Sequence, residues 1–379
     1  MESSFQEEFK KTWLTSLIGI GLLCAGTFVL AWNEGRAVHH AHSLDEAYEN
    51  VIPLNVYEPL QPEYDGRLVH IAGPLLIDEP LTEPDYGVSI QAVKLKRRVQ
   101  MFQWVEEKSG LNFNSVHDEY DRSDAEYHYF TEWRDKLVNS NSFYIRHGHH
   151  NPTTMPLKTH VYVSPLVRVG QLYLGSEIKN KFTDYAEMTS DERPERRDIK
   201  LHLGIYYHCD DVWNAEVGDI RVQFYYAGHN GEPVSVIALQ KDGTLVPYET
   251  SRKHQLGLVR HGILTVKQMF DAEHSDAKLE TWKFRAVGLF ALYASSLCLA
   301  RLLAVLCLKW PRLKQVYSGD IGAASCMGLA FSVALFVVSL SWLAHRPMIG
   351  LGLLTASFSP FIYCLLSIFN PNVNAHHNR

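Results

Sequence analysis

The sequence predicts an α+β membrane protein in which four transmembrane helices, one N-terminal and three C-terminal, accompany a large β-rich lumenal domain. Two observations carry this. Residues 13–32, WLTSLIGIGLLCAGTFVLAW, hold no charge, and three more apolar stretches follow at 287–308, 321–344 and 348–369. About 20 such residues at about 1.5 Å each cross a hydrocarbon core of about 30 Å. Between the first stretch and the last three lies a polar block whose periodicity is mainly that of strands, and this block pulls the mean hydropathy of the whole chain down to -0.14. The expected organisation is a cytosolic tail at 1–12, the first span at 13–32, a lumenal domain at 33–286, the second span at 287–308, a cytosolic loop at 309–320, spans at 321–344 and 348–369, and a cytosolic tail at 370–379.

The first span reads as a retained anchor. Glu2, Glu7 and Glu8 precede it together with Lys10 and Lys11, and it ends on bulky Trp32 where a cleaved leader would carry small residues. Basic residues near the spans set the orientation. Lys10, Lys11, Lys309, Arg312, Lys314 and Arg379 lie on one side, against Arg36, Lys278, Lys283, Arg285 and Arg346 on the other, which puts both termini in the cytosol.

In the block, 66–73 (GRLVHIAG) alternates as a strand, with Leu68, His70 and Ala72 on one face and Val69 and Ile71 on the other. Strand patterns continue through 86–107, 128–138, 159–174, 202–207, 218–227 and 234–240, and Lys241-Asp242-Gly243 reads as a turn before 244–248. Helical patterns occur at 43–50, 175–188 and 266–282, and the charged stretch 190–200 is a possible boundary between subdomains. The strand at 66–73 has an echo at 218–228, GDIRVQFYYAG. The echo is compatible with a duplication or with two ordinary strands, and similar strands open small barrels of the oligonucleotide-binding type.

Within the membrane, Arg301 lies about 12 Å along a helix from Lys309, within snorkelling reach of the headgroups. On the third span, Gly328 and Ser332 share a helix face and are the expected packing contact with another helix or a second copy. Cys24, Cys298, Cys307, Cys326 and Cys364 lie in or beside spans, so Cys209 alone in the block has no partner for an intradomain disulfide. The block's single glycosylation-like triplet, Asn151-Pro152-Thr153, is blocked by its proline.

No residue set commits to catalysis, a metal or a cofactor. His147, His149 and His150, and likewise His39, His40 and His42, lack cysteine or carboxylate partners at ligand spacing; a turn fixed by Asn151-Pro152 is the expected role of the former segment. Acidic 118–126 lacks the glycine and the bidentate glutamate of a calcium loop. Glu132 and Arg134, two apart on a strand, form an ordinary ion pair or an acid with its orienting base. Tyr86, Tyr127, Tyr129, Tyr206, Tyr207, Tyr225 and Tyr226 suit a sheet core, an aromatic ligand groove being the alternative, and Lys94, Lys96, Arg97 and Arg98 suit a solvated edge or lipid headgroups. Nucleic acid is excluded as a partner by a lumenal location.

Asn33-Glu34-Gly35-Arg36-Ala37 after the first span, GRLVHI at 66–71, and Tyr86-Gly87-Val88 before AVKLKRRVQMFQWVE at 92–106 resemble the LUMA family, also called the transmembrane protein forty-three family. The resemblance continues through Thr131-Glu132-Trp133-Arg134, Gly148-His149 with Asn151-Pro152, 217–222 (VGDIRV), and Trp342-Leu343 with Arg346-Pro347. It implies a four-span protein of the endoplasmic reticulum and inner nuclear membrane that self-associates and organises nuclear-envelope proteins such as emerin and lamins. The short N-terminal tail departs from the animal pattern. The expected function is a multi-pass scaffold rather than an enzyme, with a lumenal enzyme or lipid-binding protein as the alternative. Asn33, Glu34, Gly35 and Arg36 are expected to form a membrane-boundary motif, Gly35 allowing a tight turn after the helix while Glu34 and Arg36 pair near 282–285.

Overall fold

The computed structural model describes residues 2–59, 62–109, 127–189, 194, 196–309, 323–343 and 347–369. It divides into two compact units, one made of residues 1–48 and 270–379 and one made of residues 49–269.

The first unit is helical. Helix α1 runs over Glu2–Asn50, well past the boundary expected at residue 33, because nothing from 33 to 50 is a helix breaker and Asn33 to Ala37 continue the turn. Gly35 is helical, so the tight turn expected there is replaced by continuous helix. A long partner, α3 (Val266–Lys309), likewise starts ahead of its apolar stretch and merges the helix expected at 266–282 with the second span. Helices α4 (Ala323–Leu343) and α5 (Pro347–Phe369) follow and pack on each other. Among the described residues, three helices hold stretches long and apolar enough to cross a membrane, Lys10–Asn50, Val266–Leu302 and Cys326–Leu343, with a shorter apolar helix at Pro347–Ser359.

The second unit is β-rich. In chain order its strands are β1 (Ile52–Pro53), β2 (Leu68–Ile77), β3 (Leu81–Glu83), β4 (Val88–Ile90), β5 (Ala92–Lys108), β6 (Tyr127–Arg134), β7 (His160–Val163), β8 (Val167–Val169) and β9 (Leu172–Leu174). Helix α2 (Ser176–Asn180) is followed by β10 (Ala186–Met188), β11 (Lys200–His202), β12 (Ile205–His208), β13 (Ile220–His229), β14 (Pro233–Lys241), β15 (Thr244–Val246), β16 (Tyr248–Glu249), β17 (Gln255–Leu256) and β18 (Leu258–His261). The helix expected over 175–188 is therefore one short turn followed by a strand.

Pairing closes five strands into a ring, β2–β8–β9–β15–β14 and back to β2. All neighbours are antiparallel except β9 with β15, and α2 falls between β9 and β14. That order, with its parallel closure, is the topology of an oligonucleotide-binding-type barrel. Alternation fills it: Val69, Ile71, Leu75 and Ile77 of β2 face Val169, Leu174, Val236 and Leu245 inside, while His70 on the other face meets the Leu264 carbonyl at 3.0 Å. Ile178 and Phe182, on and just after α2, complete this core. Gly175 brings α2 against β15, since a Cβ there would stand 2.7 Å from the Leu245 carbonyl oxygen.

A second sheet, β11–β12–β13–β5–β6 with β7 on β5 and β10 on β13, is built from two insertions into the barrel. The first leaves after β2 and returns at β8; the second leaves after α2 and returns at β14. They join through β5 and β13, paired from Ala92 with His229 to Met101 with Ile220. No boundary falls at 190–200, because both subdomains draw on segments from each side of it. The two glycine-led strands that echo each other lie in different sheets, β2 in the barrel and β13 in the second sheet.

Two buried lysines clasp the junctions reciprocally. Lys94 in the first insertion donates to the carbonyls of Asn180 and Phe182, both at 3.0 Å, where the second insertion departs. Lys179 donates to those of Ser164 (2.9 Å) and Pro165 (3.1 Å), where the first insertion returns. Burial pushes both ammonium groups below the usual lysine range.

Candidate functional site at the membrane boundary

Helices α1 and α3 run antiparallel along a seam that advances by seven residues on each. Ser295 Oγ donates to the Gly19 carbonyl at 2.7 Å; a Cβ on Gly26 would stand 3.2 Å from the Gly288 carbonyl oxygen; Asn33 Nδ2 donates to the Thr281 carbonyl at 3.1 Å. Seven residues further on α1 and eight on α3, His40 lies 3.8 Å from Glu273. At Gly288 the side chain of Leu30 fills the space a side chain would take, since a Cβ there would stand 2.6 Å from Leu30 Cγ. Small residues admit this approach, which gives the packing and hydroxyl bonds that hold helices together in lipid. Exposed Trp13 and Trp32 bracket the glycine part of the seam, about 28 Å apart along α1, and Trp282 lies at the level of Trp32. The same register carries exposed Arg301 to the level of Trp13, at the opposite interface.

At the Trp32 level the seam turns polar. Glu34, 1% exposed, receives Arg285 in bidentate fashion, Nε at 2.6 Å and Nη2 at 2.9 Å, and Trp342 Nε1 of α4 at 3.0 Å. One carboxylate thus ties three helices. Arg285 also lies over the Trp282 ring at 4.9 Å. Arg36 bonds Glu280 at 2.6 Å, reaches Asn33 Oδ1 at 3.4 Å, and sits beside the rings of Trp32 and Phe284. The expected motif residues Asn33, Glu34 and Arg36 are brought together with 280–285, while Gly35 takes no part: its Cβ position is open. Removing one member of such a buried ion pair costs about 3–5 kcal/mol, because the other charge is left uncompensated.

Lower on α4, Ala330 packs in a cluster with Leu30 and Leu292, joined by Val333, Ala334 and Val337, and Ser296 Oγ donates to the Cys326 carbonyl at 3.0 Å. Ser332 is buried and donates to Gly328 of its own helix; the Cβ position of Gly328 is open space. The side of α4 turned to α1 and α3 therefore includes Val333. The role of Trp342, named in the sequence only among the resembling residues, and the seven-residue seam were not read from the sequence, although Thr12, Gly19, Gly26, Asn33, His40 and Ala47 display the repeat.

The other candidates find structural partners. His149 stacks on Tyr129 at 4.1 Å, sits edge-on to Trp104 at 4.7 Å, and donates from Nδ1 to the Ile145 carbonyl. Asn151 does more than set a turn. Its carboxamide accepts from Trp104 N (2.8 Å) and donates to Trp104 O (3.0 Å), replacing a peptide group beside β5 where pairing with the β13 side ends at Gly218 and Phe102. Pro152 lies at Gly218, so the 148–152 and 217–222 motifs meet here.

Glu132 pairs with Arg134. Glu132 stands opposite Gln103 while His149 lies against Trp104, on the other face of the sheet. Arg97 pairs with Glu83 at 2.8 Å, Arg98 with Asp135 at 3.0 Å, and Lys96 lies over Tyr185. Tyr86, packed edge-on to Tyr206 and Phe224, bonds His208 at 3.0 Å, and burial pushes its hydroxyl up to about 12. Cys209 is a free thiol raised by burial, and Cys24, Cys298 and Cys326 are also free. Among the described residues no group of three or more His, Cys, Asp or Glu could hold a metal ion. Acidic 118–126 and His39 and His42 add nothing: the first lies outside the described residues, and the histidines lie along α1 with partners of their own.

Comparison with known proteins finds relatives along most of the chain. A family described as Transmembrane protein 43 matches residues 101–347. A Drosophila melanogaster protein named Transmembrane protein 43 homolog is 43% identical over 95% of this chain and 96% of its own. Proteins named Transmembrane protein 43 are 31% identical in Homo sapiens, over 95% of this chain and 92% of theirs, and 31% identical in Mus musculus, over 92% and 88%. No solved structure matches.

Proposed function

The chain belongs to the Transmembrane protein 43 family, and from that premise we propose that it is a multi-pass scaffold of the endoplasmic reticulum and inner nuclear membrane. In this reading the residue 49–269 unit is lumenal, both termini are cytosolic, and the helices associate with further copies and with emerin- and lamin-type envelope proteins. The observation that supports it is the Glu34 cluster. Its buried carboxylate, shared by Arg285 and Trp342, fixes three helices as one unit, which is what a platform for other membrane proteins requires and what a passive anchor does not. The basic flanks at Lys10, Lys11 and Lys309 support the cytosolic placement of the opposite ends.

Protease treatment of sealed microsomes, combined with proximity labelling from the β-rich unit, tests this. Protection of the residue 49–269 unit and labelling of envelope membrane proteins are expected. Digestion without detergent would reject the lumenal placement, and labelling no richer in membrane proteins than a single-span lumenal control would reject the scaffold.

A further inference from the structure

The turn between β13 and β14, His229-Asn230-Gly231-Glu232, is stitched to β2: Gly231 N donates to the Leu75 carbonyl at 2.8 Å, Leu75 N to that of Glu232 at 2.9 Å, and Ile77 N to Asn230 Oδ1 at 2.9 Å. The Glu232 carboxylate closes this turn and also reaches β18. Oε2 accepts from the His229 amide at 2.9 Å and has His229 Nδ1 at 3.0 Å, while Oε1 bonds Nδ1 of His261, the last residue of β18. The other ring nitrogen of His261, Nε2, stands 3.4 Å from Asp184 Oδ2. His261 therefore has a carboxylate at each ring nitrogen. A neutral imidazole has one N–H and one lone pair and would turn the lone pair to an anion on one side; only the imidazolium donates to both. The remaining neighbours carry no competing charge: Phe182 is edge-on to His261, Tyr226 is edge-on to His229, and Arg260 lies on the opposite face of β18 by strand alternation.

We propose that His229, Glu232, His261 and Asp184 form a proton-operated latch, in which protonation of His261 fastens the end of β18 to the β13–β14 turn and deprotonation releases it. Histidine side chains change charge between about pH 5 and 8, so the latch is closed on the acid side of that range and opens as pH rises through it. Burial alone would raise the Glu232 carboxyl, but the His229 amide and the His261 ring hold it below the usual carboxylate range, so the acceptor stays charged in mild acid. What the latch governs is the connector 262–265 that leads from β18 into α3. A second tie holds that connector: Ser235 Oγ donates to the Gly262 carbonyl and accepts from Leu264 N, both at 2.8 Å, and His70 Nε2 meets the Leu264 carbonyl. Burial lowers the His70 imidazole, so its tie belongs to the neutral ring and has the opposite sign, weakening as pH falls. The latch lies within the residue 49–269 unit and does not depend on the scaffold reading.

Hydrogen exchange read by mass spectrometry on the purified full-length chain in detergent tests this, with His261→Gln compared to the unaltered chain at pH 5.5 and again at pH 7.5, so that the His70 effect and the intrinsic pH dependence of exchange cancel. In the peptide covering 258–265, His261→Gln is expected to lower protection about tenfold at pH 5.5 and by less than about twofold at pH 7.5. His261→Arg, charged at both values, should retain protection at both. His160→Gln, which removes an exposed histidine on β7, should change neither. Equal losses at the two pH values would make His261 a packing residue and overturn the proposal. So would no loss at either pH, an arginine variant that behaves as the glutamine one, or the same pH-dependent loss from His160→Gln.

Discussion

The helical unit and the β-rich unit meet their most buried charged groups by different means. In the helices the charge at the core, Glu34, is met by side chains, Arg285 and Trp342, and Arg36 is met by Glu280. In the β-rich unit several buried polar groups turn to the backbone instead, although Glu83 meets Arg97 and Gln100 meets Arg221. Lys94 and Lys179 bond four carbonyls, Gln103 bonds Lys136 O and Val138 N, and Asn151 bonds Trp104 N and O. The difference follows from how each element uses its peptide groups. A helix satisfies its own interior and leaves mainly side chains to pair across it, whereas strand ends and insertion junctions leave carbonyls and amides that side chains must complete. Asn33 on the Thr281 carbonyl, Ser295 on that of Gly19 and Ser296 on that of Cys326 are mixed cases, in which an uncharged side chain bonds the backbone of another helix.

The comparison can be broken most severely at Gly288. Leucine there would occupy the space of Leu30, and overpacking should cost about 3 kcal/mol and separate α1 from α3. The readout is loss of a disulfide engineered between cysteines at 33 and 281 in native membranes. Retention of that cross-link would show that the seam tolerates bulk and that side-chain bonds alone hold it.

Next in size is Asn151→Ala. It leaves Trp104 N and O without their surrogate peptide group and should lower stability by about 2 kcal/mol, seen as a lower denaturation midpoint of the β-rich unit. A midpoint unchanged within error would mean that solvent replaces the carboxamide at no cost.

The smallest effect is Tyr86→Phe, which removes the bond to His208 and should cost about 1 kcal/mol at pH 7. Its sharper signature is alkaline. A hydroxyl raised to about 12 in the folded state, against about 10 unfolded, gives stability that is whole below pH 10 and lost as pH rises toward 12. The variant should therefore show a shallower fall in melting temperature between pH 10 and 12. Identical slopes would place the alkaline loss on other groups.

How much of this was legible in the sequence depends on whether the signal was local. Helix positions were, because uncharged length reports a membrane crossing, and the strand at 66–73 was, because alternation marks the inward faces of Val69 and Ile71. The pairing of Glu34 and Arg36 with 280–285 was partly legible from charge beside the span. Trp342 as the third member was not, since nothing in α4 itself says which helix its indole meets. The heptad of Gly19, Gly26 and Asn33 was present but hidden by the eye's attention to apolar length, and the turn read into Gly35 ignored that glycine in a helix is costly but permitted. Barrel closure lay beyond reach. It depends on β9 meeting β15 and β2 meeting β14 across two insertions, a contact that no local pattern encodes.

The account rests most heavily on one carboxylate holding three helices, and a double-mutant cycle on Glu34 and Arg285 addresses it directly. Thermal unfolding in detergent would be followed for Glu34→Met, Arg285→Met and the double variant. Each single change strands a buried charge and is expected to lose about 3–5 kcal/mol, while the double variant, having no charge to strand, should recover most of that loss. Additive losses, with the double variant as unstable as the two singles combined, would show that the pair is not coupled and would contradict the central role given to Glu34.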